Sequence, residues 1–344
     1  MTLSSQQLFL NAFDCKPNPR PPVWVMRQAG RYLPEYRELK KKYDFLTLAK
    51  TPDLAAEVTL QPLRRYPLDA AIIFSDILII PEAMGQPYYF RDQGGIGMEY
   101  TLSSTKQIKA LETNSIRERL NYLPEAMKLV AAEVKPEKAL LGFGGSPWTL
   151  ATYMLEGGSS KDFQKTKELY FNDPKAFAML MEKLVEAIST LFKMQIEAGA
   201  DAIQIFDSWA AVAPGANYED CSLKWIKAII ERLPKDFPVI IYAKGMLHHL
   251  KALEATGATV ISLDQSADLA TVARQKSPST CLQGNLDPLL MTLDPEVTVP
   301  VIDAMLEQSR SFDGYIFNLG HGITPNAKLE TMEALVNRVT QWEK

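Results

Sequence analysis

Cysteine and histidine are both scarce in this chain, with three of each among its 344 residues. Cys15, Cys221 and Cys281 are odd in number, lie far apart and lack metal-ligand spacing, so the sequence offers neither a disulfide framework nor a zinc motif. No glycine-rich turn matches a P-loop or a dinucleotide fingerprint. We therefore expect no metal and no cofactor, and the cysteine content suits a reducing compartment.

Long apolar runs and a strong charge of one sign are also missing. Charged residues interrupt every candidate for a membrane span of roughly 18 residues, and the opening MTLSSQQ does not resemble a signal peptide. The formal net charge is −4 and the pI about 5.6, which argues against nucleic acid or a membrane surface as a partner. We expect a cytoplasmic protein in which any cluster of positive charge is confined to a cleft.

The sequence does contain a repeated alternation of short apolar strands and longer amphipathic helices. Most of the predicted strands are nearly continuous apolar runs, as is typical of parallel strands covered on both faces. They span 23–26, 70–74, 139–143, 202–206, 239–243, 259–263, 280–283 and 315–318. Predicted helices include 176–198, 223–232, 246–255 and 328–343, and prolines after Asp173 and Thr324 indicate helix starts.

Eight strands separated by helices predict an α/β protein with a (β/α)8 TIM barrel, built as a single domain over residues 1–344. An open, doubly wound sheet is the alternative. Segments 81–138 and 157–174 are too long for one helix each. We place both as loop insertions at the C-terminal face of the barrel, including the turn-rich stretch 92–97.

Catalytic side chains of a barrel lie at the carboxyl ends of its strands. The residues that follow the predicted strands are Arg27, Asp76, Gly144, Gly145, Ser146, Asp207, Ser208, Lys244, Asp264, Asn285, Asp287 and His321. Caps and turns place polar residues at strand ends in any barrel. Arginine, carboxylates and histidine gathered at one predicted rim nevertheless favour a binding site.

Two arginines four residues apart, Arg27 and Arg31, follow directly after the first predicted strand. The planar guanidinium stays charged and matches a carboxylate or phosphate with two parallel hydrogen bonds. Ordinary surface ion pairs are the alternative explanation. The apolar strand that leads into the pair favours a clamp for a ligand with several negative charges.

A carboxylate and a histidine stand in equally unusual settings. Asp76 interrupts the apolar run 70–80, where a carboxylate must be paired or take up a proton. It is either a turn cap or an acceptor aimed into the mouth of the barrel. His321 lies between two glycines, which permit a close approach by a ligand. Lys244 is either a rim ion pair or a Schiff-base lysine.

With these residues in view, the chain closely resembles the uroporphyrinogen decarboxylase family of heme biosynthesis. The similarity extends from about residue 20 to the C-terminus, in the order of the family. The blocks that carry it are RQAGRYLPE at 27–35, LQPLRRYPLDAAIIFSDIL at 60–78, PWT at 147–149 with Tyr153, FDSW at 206–209, QGNLDP at 283–288 and FNLGHG at 317–322. Departures from the family pattern are Ala210-Ala211, Gln265 and the segment 326–329.

The resemblance implies a (β/α)8 barrel, a homodimer with adjacent clefts, and removal of CO2 from four acetate side chains of a tetrapyrrole without a cofactor. It implies a substrate site formed by Arg27, Gln28, Ala29, Gly30, Arg31, Asp76, Tyr153, Ser208 and His321, with Asp76, Arg27, Tyr153 and His321 as catalytic candidates. The group that protonates the ring carbon stays open among Arg27, Tyr153, His321 and a water.

Two other functions are compatible with the same scaffold. A corrinoid or thiol methyltransferase would have a similar fold, but such enzymes bind zinc through clustered histidine and cysteine. A porphyrin-binding protein without activity would have little use for Asp76.

Overall fold

The computed structural model of this chain describes residues 3–91 and 94–344. Its parallel strands curl into one sheet, and helices cover the outer face of that sheet. The strands of the described residues are β1 (Ala70–Ile72), β2 (Tyr88–Phe90), β3 (Ile96–Met98), β4 (Ala139–Gly145), β5 (Ala202–Asp207), β6 (Val239–Ala243), β7 (Val260–Ser262), β8 (Cys281–Gln283) and β9 (Tyr315–Ile316). In the described part of the chain, no helix is long and apolar enough to cross a membrane.

The main sheet has seven parallel strands in the order β1-β4-β5-β6-β7-β8-β9. A doubly wound sheet reverses its strand order at a switch point, so this sequential order contradicts that alternative. The prediction for 239–243 is confirmed to the residue. Five other strands differ by one or two residues at one end, and β7 is one residue shorter at each end than the predicted 259–263.

The predicted strand at 23–26 is reduced to a single bridge, between Val23 and Phe317. The segment nevertheless bonds to both edges of the sheet. The Phe317 N–H donates to Pro22 O over 2.9 Å, and the Asp69 N–H donates to Val23 O over 2.9 Å.

Side-chain acceptors replace backbone acceptors at the last two residues of this segment, Val25 and Met26, which explains why the strand is lost. The Val25 N–H donates to Gln28 Oε1 at 3.0 Å, and the Met26 N–H donates to Asn318 Oδ1 at 2.9 Å. A ladder needs backbone acceptors at these positions. The chain therefore leaves the sheet early and turns into the segment that carries Arg27.

The helices fill the connections between strands and wrap the outside of the sheet. They are α1 (Ser5–Phe13), α2 (Pro34–Lys42), α3 (Phe45–Lys50), α4 (Pro52–Arg65), α5 (Ile79–Ala83), α6 (Thr105–Ala110), α7 (Ile116–Arg119), α8 (Tyr122–Val134), α9 (Pro147–Glu156), α10 (Gln164–Asn172), α11 (Pro174–Glu197), α12 (Lys224–Ile230), α13 (Leu250–Glu254), α14 (Leu269–Gln275), α15 (Pro295–Ser309) and α16 (Leu329–Thr340). A π-helical turn, Glu219–Leu223, precedes α12.

One of the two predicted helix starts is confirmed and the other is wrong. The Asp173 side chain accepts from the Ala176 N–H at 3.0 Å and caps α11, whose first residue is Pro174. Thr324 does not start a helix, because a turn follows it and α16 begins only at Leu329. The predicted helix 246–255 is also wrong at its start, where a 3-10 turn, Leu247–His249, precedes α13.

Apolar side chains fill the inside of the curled sheet, and α1 covers the end at which the strands begin. Phe9 and Phe13 of α1 pack in one cluster with inward-facing strand residues such as Leu141, Ile240 and Ile316. A larger cluster lies between the outer face of the strands and the helices. The interior is thus filled by side chains, which leaves the carboxyl ends of the strands as the place for a ligand.

The segment 81–138 contributes a β-hairpin, β2 and β3, besides the helices α6 to α8. The predicted turn at 92–97 forms this hairpin in part, since its first two residues, Asp92 and Gln93, lie outside the described residues. The Met98 N–H donates to Gly157 O at 3.1 Å, so the hairpin is tied to the loop after α9. Both predicted insertions therefore contact each other.

We predict that Asp69→Ala lowers the free energy of unfolding by about 3–5 kcal/mol, because it breaks a buried ion pair. Asp69 is fully buried and binds both Arg20 guanidinium nitrogens at 2.7 and 2.8 Å, together with the Val23 N–H at 2.8 Å. Urea denaturation measures the effect. Glu57→Gln removes the exposed pair with Arg64 and should cost about 0–1 kcal/mol. Equal losses in the two variants would contradict this reading.

Candidate active site at the carboxyl ends of the strands

Asp76 lies at the carboxyl end of β1, between the strand and α5. Its Oδ1 accepts the Leu78 N–H at 2.7 Å. Burial raises the pKa of Asp76 to about 6, against the lowering effects of this hydrogen bond and of Arg27. The residue is half-buried, so its carboxylate is desolvated by the protein and yet open to a ligand at the mouth. The turn cap is therefore confirmed, and the acceptor aimed into the mouth stays a prediction.

A second carboxylate, Glu82, and a tyrosine, Tyr88, lie within electrostatic reach of Asp76. Glu82 raises the pKa of Asp76 slightly and is itself paired with Lys50 over 2.6 Å. The buried Tyr88 hydroxyl has no hydrogen-bond partner among the described residues, and Asp76 is one of the charges that raise the Tyr88 pKa. Nothing in the sequence pattern marked Tyr88, because its strand lies in an insertion with no predicted strand.

Arg27 and Arg31 are exposed, and within the described chain neither has a carboxylate oxygen within 4.0 Å. The ordinary surface ion pair is thus not what the structure contains, although Arg65 nearby does pair with Glu35 at 2.7 Å. Arg27 has a left-handed backbone, with φ of 65°. Such a conformation is costly for a residue with a side chain and is concentrated at functional sites.

The turn after Met26 presents a row of backbone donors beside these arginines. The N–H groups of Ala29, Gly30 and Arg31 have no acceptor among the described residues. Successive free N–H groups form a concave anion-binding surface. Gln28 fixes the turn from below, since its buried side chain accepts from Val25 N–H and donates to Ala70 O at 2.9 Å.

Tyr153 projects from α9 toward the same mouth. Burial raises the pKa of its hydroxyl, the Trp209 side chain lowers it, and the charges of Asp76 and Arg27 act in opposite directions. The Tyr153 and Trp209 rings meet edge to face at 6.2 Å. Tyr153 therefore keeps its proton at neutral pH and lies within electrostatic reach of both charged candidates.

His321 completes the mouth from the opposite edge of the sheet. Burial, Arg27 and Lys244 lower the pKa of His321 to about 4, against the raising effect of Asp264. Its Nδ1 accepts the Gly322 N–H at 2.6 Å. The ring is therefore neutral at physiological pH and carries its proton on Nε2, as a donor toward the mouth.

Two glycines around His321 make room for its neighbours. A Cβ at Gly322 would come within 2.3 Å of Arg27 Cδ, so the arginine stem lies directly on this glycine. A Cβ at Gly320 would come within 2.2 Å of the Gln265 backbone nitrogen. The departure at Gln265 therefore sits in backbone packed against the glycine before His321.

Two further candidates from the rim take different positions. Ser208 is half-buried in the turn after β5, and its hydroxyl makes no hydrogen bond within the described chain. Lys244 is exposed and has no carboxylate within 4.0 Å in the described residues, so the predicted rim ion pair is wrong. Its charge instead acts on His321.

An aromatic wall inside the mouth was not predicted. Phe143 and Phe206 meet edge to face at 5.6 Å, and Phe206 meets Tyr242 at 6.0 Å. All three are inward-facing positions near the ends of neighbouring strands, at the period of two that a strand imposes. Together with Asp76 they give the mouth an apolar wall beside a half-buried carboxylate.

Comparison with known sequences decides the family. A family model described as uroporphyrinogen decarboxylase matches residues 4–342. The chain belongs to the uroporphyrinogen decarboxylase family. The uroporphyrinogen decarboxylase of Legionella pneumophila (strain Lens) is 43% identical over 339 residues, covering 97% of this chain and 96% of that protein. The Pseudomonas syringae pv. syringae protein of the same name is 42% identical over 345 residues, covering 98% of both.

Solved structures show how widely the fold of this decarboxylase family is shared. A methyltransferase from Methanosarcina mazei superposes with a TM-score of 0.82 over 98% of this chain and 99% of that one, at 17% identity. A B12-independent methionine synthase from a Shewanella species gives a TM-score of 0.56 over 94% and 98%, at 13% identity. Such identities concern the fold alone, so function rests on the site.

We predict that His321 titrates near pH 4 and that Arg27→Met raises its pKa, because a nearby cation is removed while the burial remains. Nuclear magnetic resonance of histidine-labelled protein measures this, and His321→Asn assigns the signal among three histidines. His248, exposed on the 3-10 turn, serves as the internal control. A wild-type His321 pKa at the ordinary value of about 6.5 would refute the prediction.

Proposed function

We propose that this protein is a cofactor-independent uroporphyrinogen decarboxylase, which converts the four acetate side chains of uroporphyrinogen III to methyl groups and yields coproporphyrinogen III. Its family membership supports the reaction. The observation that carries it to this site is the half-buried Asp76, whose pKa the charge of Arg27 lowers although no carboxylate oxygen of the described residues lies within 4.0 Å of that arginine.

Decarboxylation needs a place for the electron pair of the broken carbon–carbon bond. A pyrrole protonated at a ring carbon is an iminium-like cation and accepts that pair as CO2 leaves. Protonation of the resulting exocyclic methylene carbon then gives a methyl group, and loss of the proton added to the ring carbon restores the pyrrole. Asp76 would accept hydrogen bonds from the pyrrole N–H groups and stabilise the positive charge as it develops. Charge placed in advance where charge develops is among the largest contributions to catalysis.

The peripheral carboxylates require the opposite sign of charge. Arg27 and Arg31 would hold them, together with the free N–H groups of Ala29 and Gly30. Each charge-assisted hydrogen bond contributes about 1.5–3 kcal/mol. Gln28, whose N–H donates to Val25 O and whose side chain donates to Ala70 O of β1, would act by fixing that turn.

Tyr153, Ser208 and His321 would orient the remaining carboxylates. His321 is a neutral donor through Nε2 and a poor acid, because burial and two cations lower its pKa to about 4. Tyr153 holds its proton firmly, since burial raises its pKa. Arginine is likewise a poor general acid near neutrality, so we propose that a water in the mouth carries the proton to the ring carbon.

The same proposal includes the architecture around the site. The segment at Val23 is hydrogen-bonded to both edges of the seven-stranded sheet. It would occupy the position of the eighth strand in a closed (β/α)8 barrel within one domain. We also propose a homodimer with adjacent clefts in the cytoplasm. Sedimentation of the purified protein tests the dimer.

A methyltransferase that uses zinc is the competing function, since a methyltransferase shares the fold. In the described residues no three histidine, cysteine, aspartate or glutamate side chains gather as a metal site would require. Incubation with uroporphyrinogen, followed by separation of products by carboxylate number, distinguishes the decarboxylase from this alternative and from a non-catalytic porphyrin-binding protein.

We predict that Asp76→Asn lowers kcat by about 100- to 1000-fold while the protein stays folded, because the amide cannot stabilise a cationic ring. Product formation measures kcat, and circular dichroism checks the fold. Asp287→Asn is the matched control, since Asp287 lies at the same rim and caps a turn through the Leu289 N–H at 2.9 Å. Near-normal turnover of Asp76→Asn would remove Asp76 from the mechanism.

A further inference from the structure

Asp207, the last residue of β5, is a fully buried carboxylate that four hydroxyl groups surround. Its Oδ1 accepts from Ser146 Oγ at 2.6 Å and from Thr149 Oγ1 at 2.9 Å. Its Oδ2 accepts from Tyr218 Oη at 3.0 Å and from Ser222 Oγ at 2.7 Å. Within the described chain, no lysine, arginine or histidine lies within 4.0 Å of this carboxylate.

A buried carboxylate without a cation is an expensive way to hold a fold together. Burial raises the pKa of Asp207, while the four hydroxyl donors lower it. All four donors are used together only by the ionised form, since a protonated carboxyl group gives up acceptor capacity. The cluster therefore fixes the rotation of four hydroxyl groups, which an apolar packing of the same volume would leave undefined.

The elements joined by Asp207 are those that carry two of the proposed substrate contacts. Ser146 caps α9, and Thr149 lies in its first turn. Tyr153 follows Thr149 by four residues and so projects from the same face of the helix. Thr149 Oγ1 also accepts the Trp209 N–H at 3.2 Å, which ties α9 to the turn that contains Ser208.

We propose that Asp207 is the positioning residue of this active site, because its hydroxyl cluster sets Tyr153 and Ser208 in register with each other. Asp207 itself does not touch the substrate. This inference rests on the proposed function, since its readout is turnover of uroporphyrinogen. A wild-type protein without decarboxylase activity would refute the function. An active wild-type protein whose Asp207 variants keep the wild-type kcat/KM would refute only the positioning role.

The first experiment compares the carboxylates at the two ends of β5, Asp207 and Asp201. Asp201 precedes β5 at its opposite end, pairs with Lys135 at 2.9 Å and accepts the Leu140 N–H at 2.8 Å. We expect Asp207→Asn to lower kcat/KM by about 10- to 100-fold, as small displacements of catalytic groups do. Asp201→Asn should keep the wild-type kcat/KM. Equal kcat/KM in the two variants, measured where both are folded, would overturn the proposal.

The second experiment removes one hydroxyl at a time and does not depend on Asp207→Asn folding. Thr149→Val and Ser222→Ala each delete one hydrogen bond to Asp207, but only Thr149 also contacts the backbone beside Ser208. We expect Thr149→Val to lower kcat/KM by about tenfold and Ser222→Ala to change it less.

A double-mutant cycle with Tyr153→Phe separates positioning from general stability. If Thr149 acts through Tyr153, the loss in kcat/KM from Thr149→Val shrinks once the Tyr153 hydroxyl is gone. Fully additive losses would overturn the proposal, because a purely structural defect is independent of that hydroxyl. Losses in Ser222→Ala as large as those in Thr149→Val would also overturn it.

Discussion

The partly desolvated carboxylate of Asp76 is the constraint on which the rest of the mouth depends. A carboxylate in an apolar setting must find a partner or a proton. The protein gives it one backbone N–H and the distant charge of Arg27, and withholds a close ion pair. The acceptor is therefore left available for the cationic ring that forms during the proposed reaction.

Arg27 meets the opposite requirement by geometry. Its left-handed backbone and the glycine at 322 let the side chain lie across the loop of His321. From there it lowers the pKa values of both Asp76 and His321, so one cation keeps the carboxylate more acidic and the imidazole neutral. The free N–H groups of the same turn add positive potential without adding charged residues. An acidic chain can thus bind a polyanion through one local patch.

Apolar runs predicted seven of the strands, because parallel strands buried on both faces have an unambiguous composition. Strand-end residues and the family blocks predicted Arg27, Asp76 and His321. The reduction of the first strand to a single bridge at Val23 could not be predicted. It depends on side-chain acceptors from Gln28, which lies around a turn, and from Asn318, which is distant in the sequence. Asp207 was visible as a rim residue, but its burial among four hydroxyls depends on tertiary packing that no local pattern reports.

The pH dependence of kcat/KM tests whether Asp76 acts as an ionised carboxylate, as the proposed reaction requires. Activity should fall as the pH drops through about 6, where burial places the pKa of Asp76. Glu82→Gln removes a charge that raises that pKa and leaves the substrate's own titration unchanged. We expect the acidic limb of the pH profile to shift to lower pH in Glu82→Gln. An acidic limb that is unchanged or shifted to higher pH in this variant would contradict this expectation.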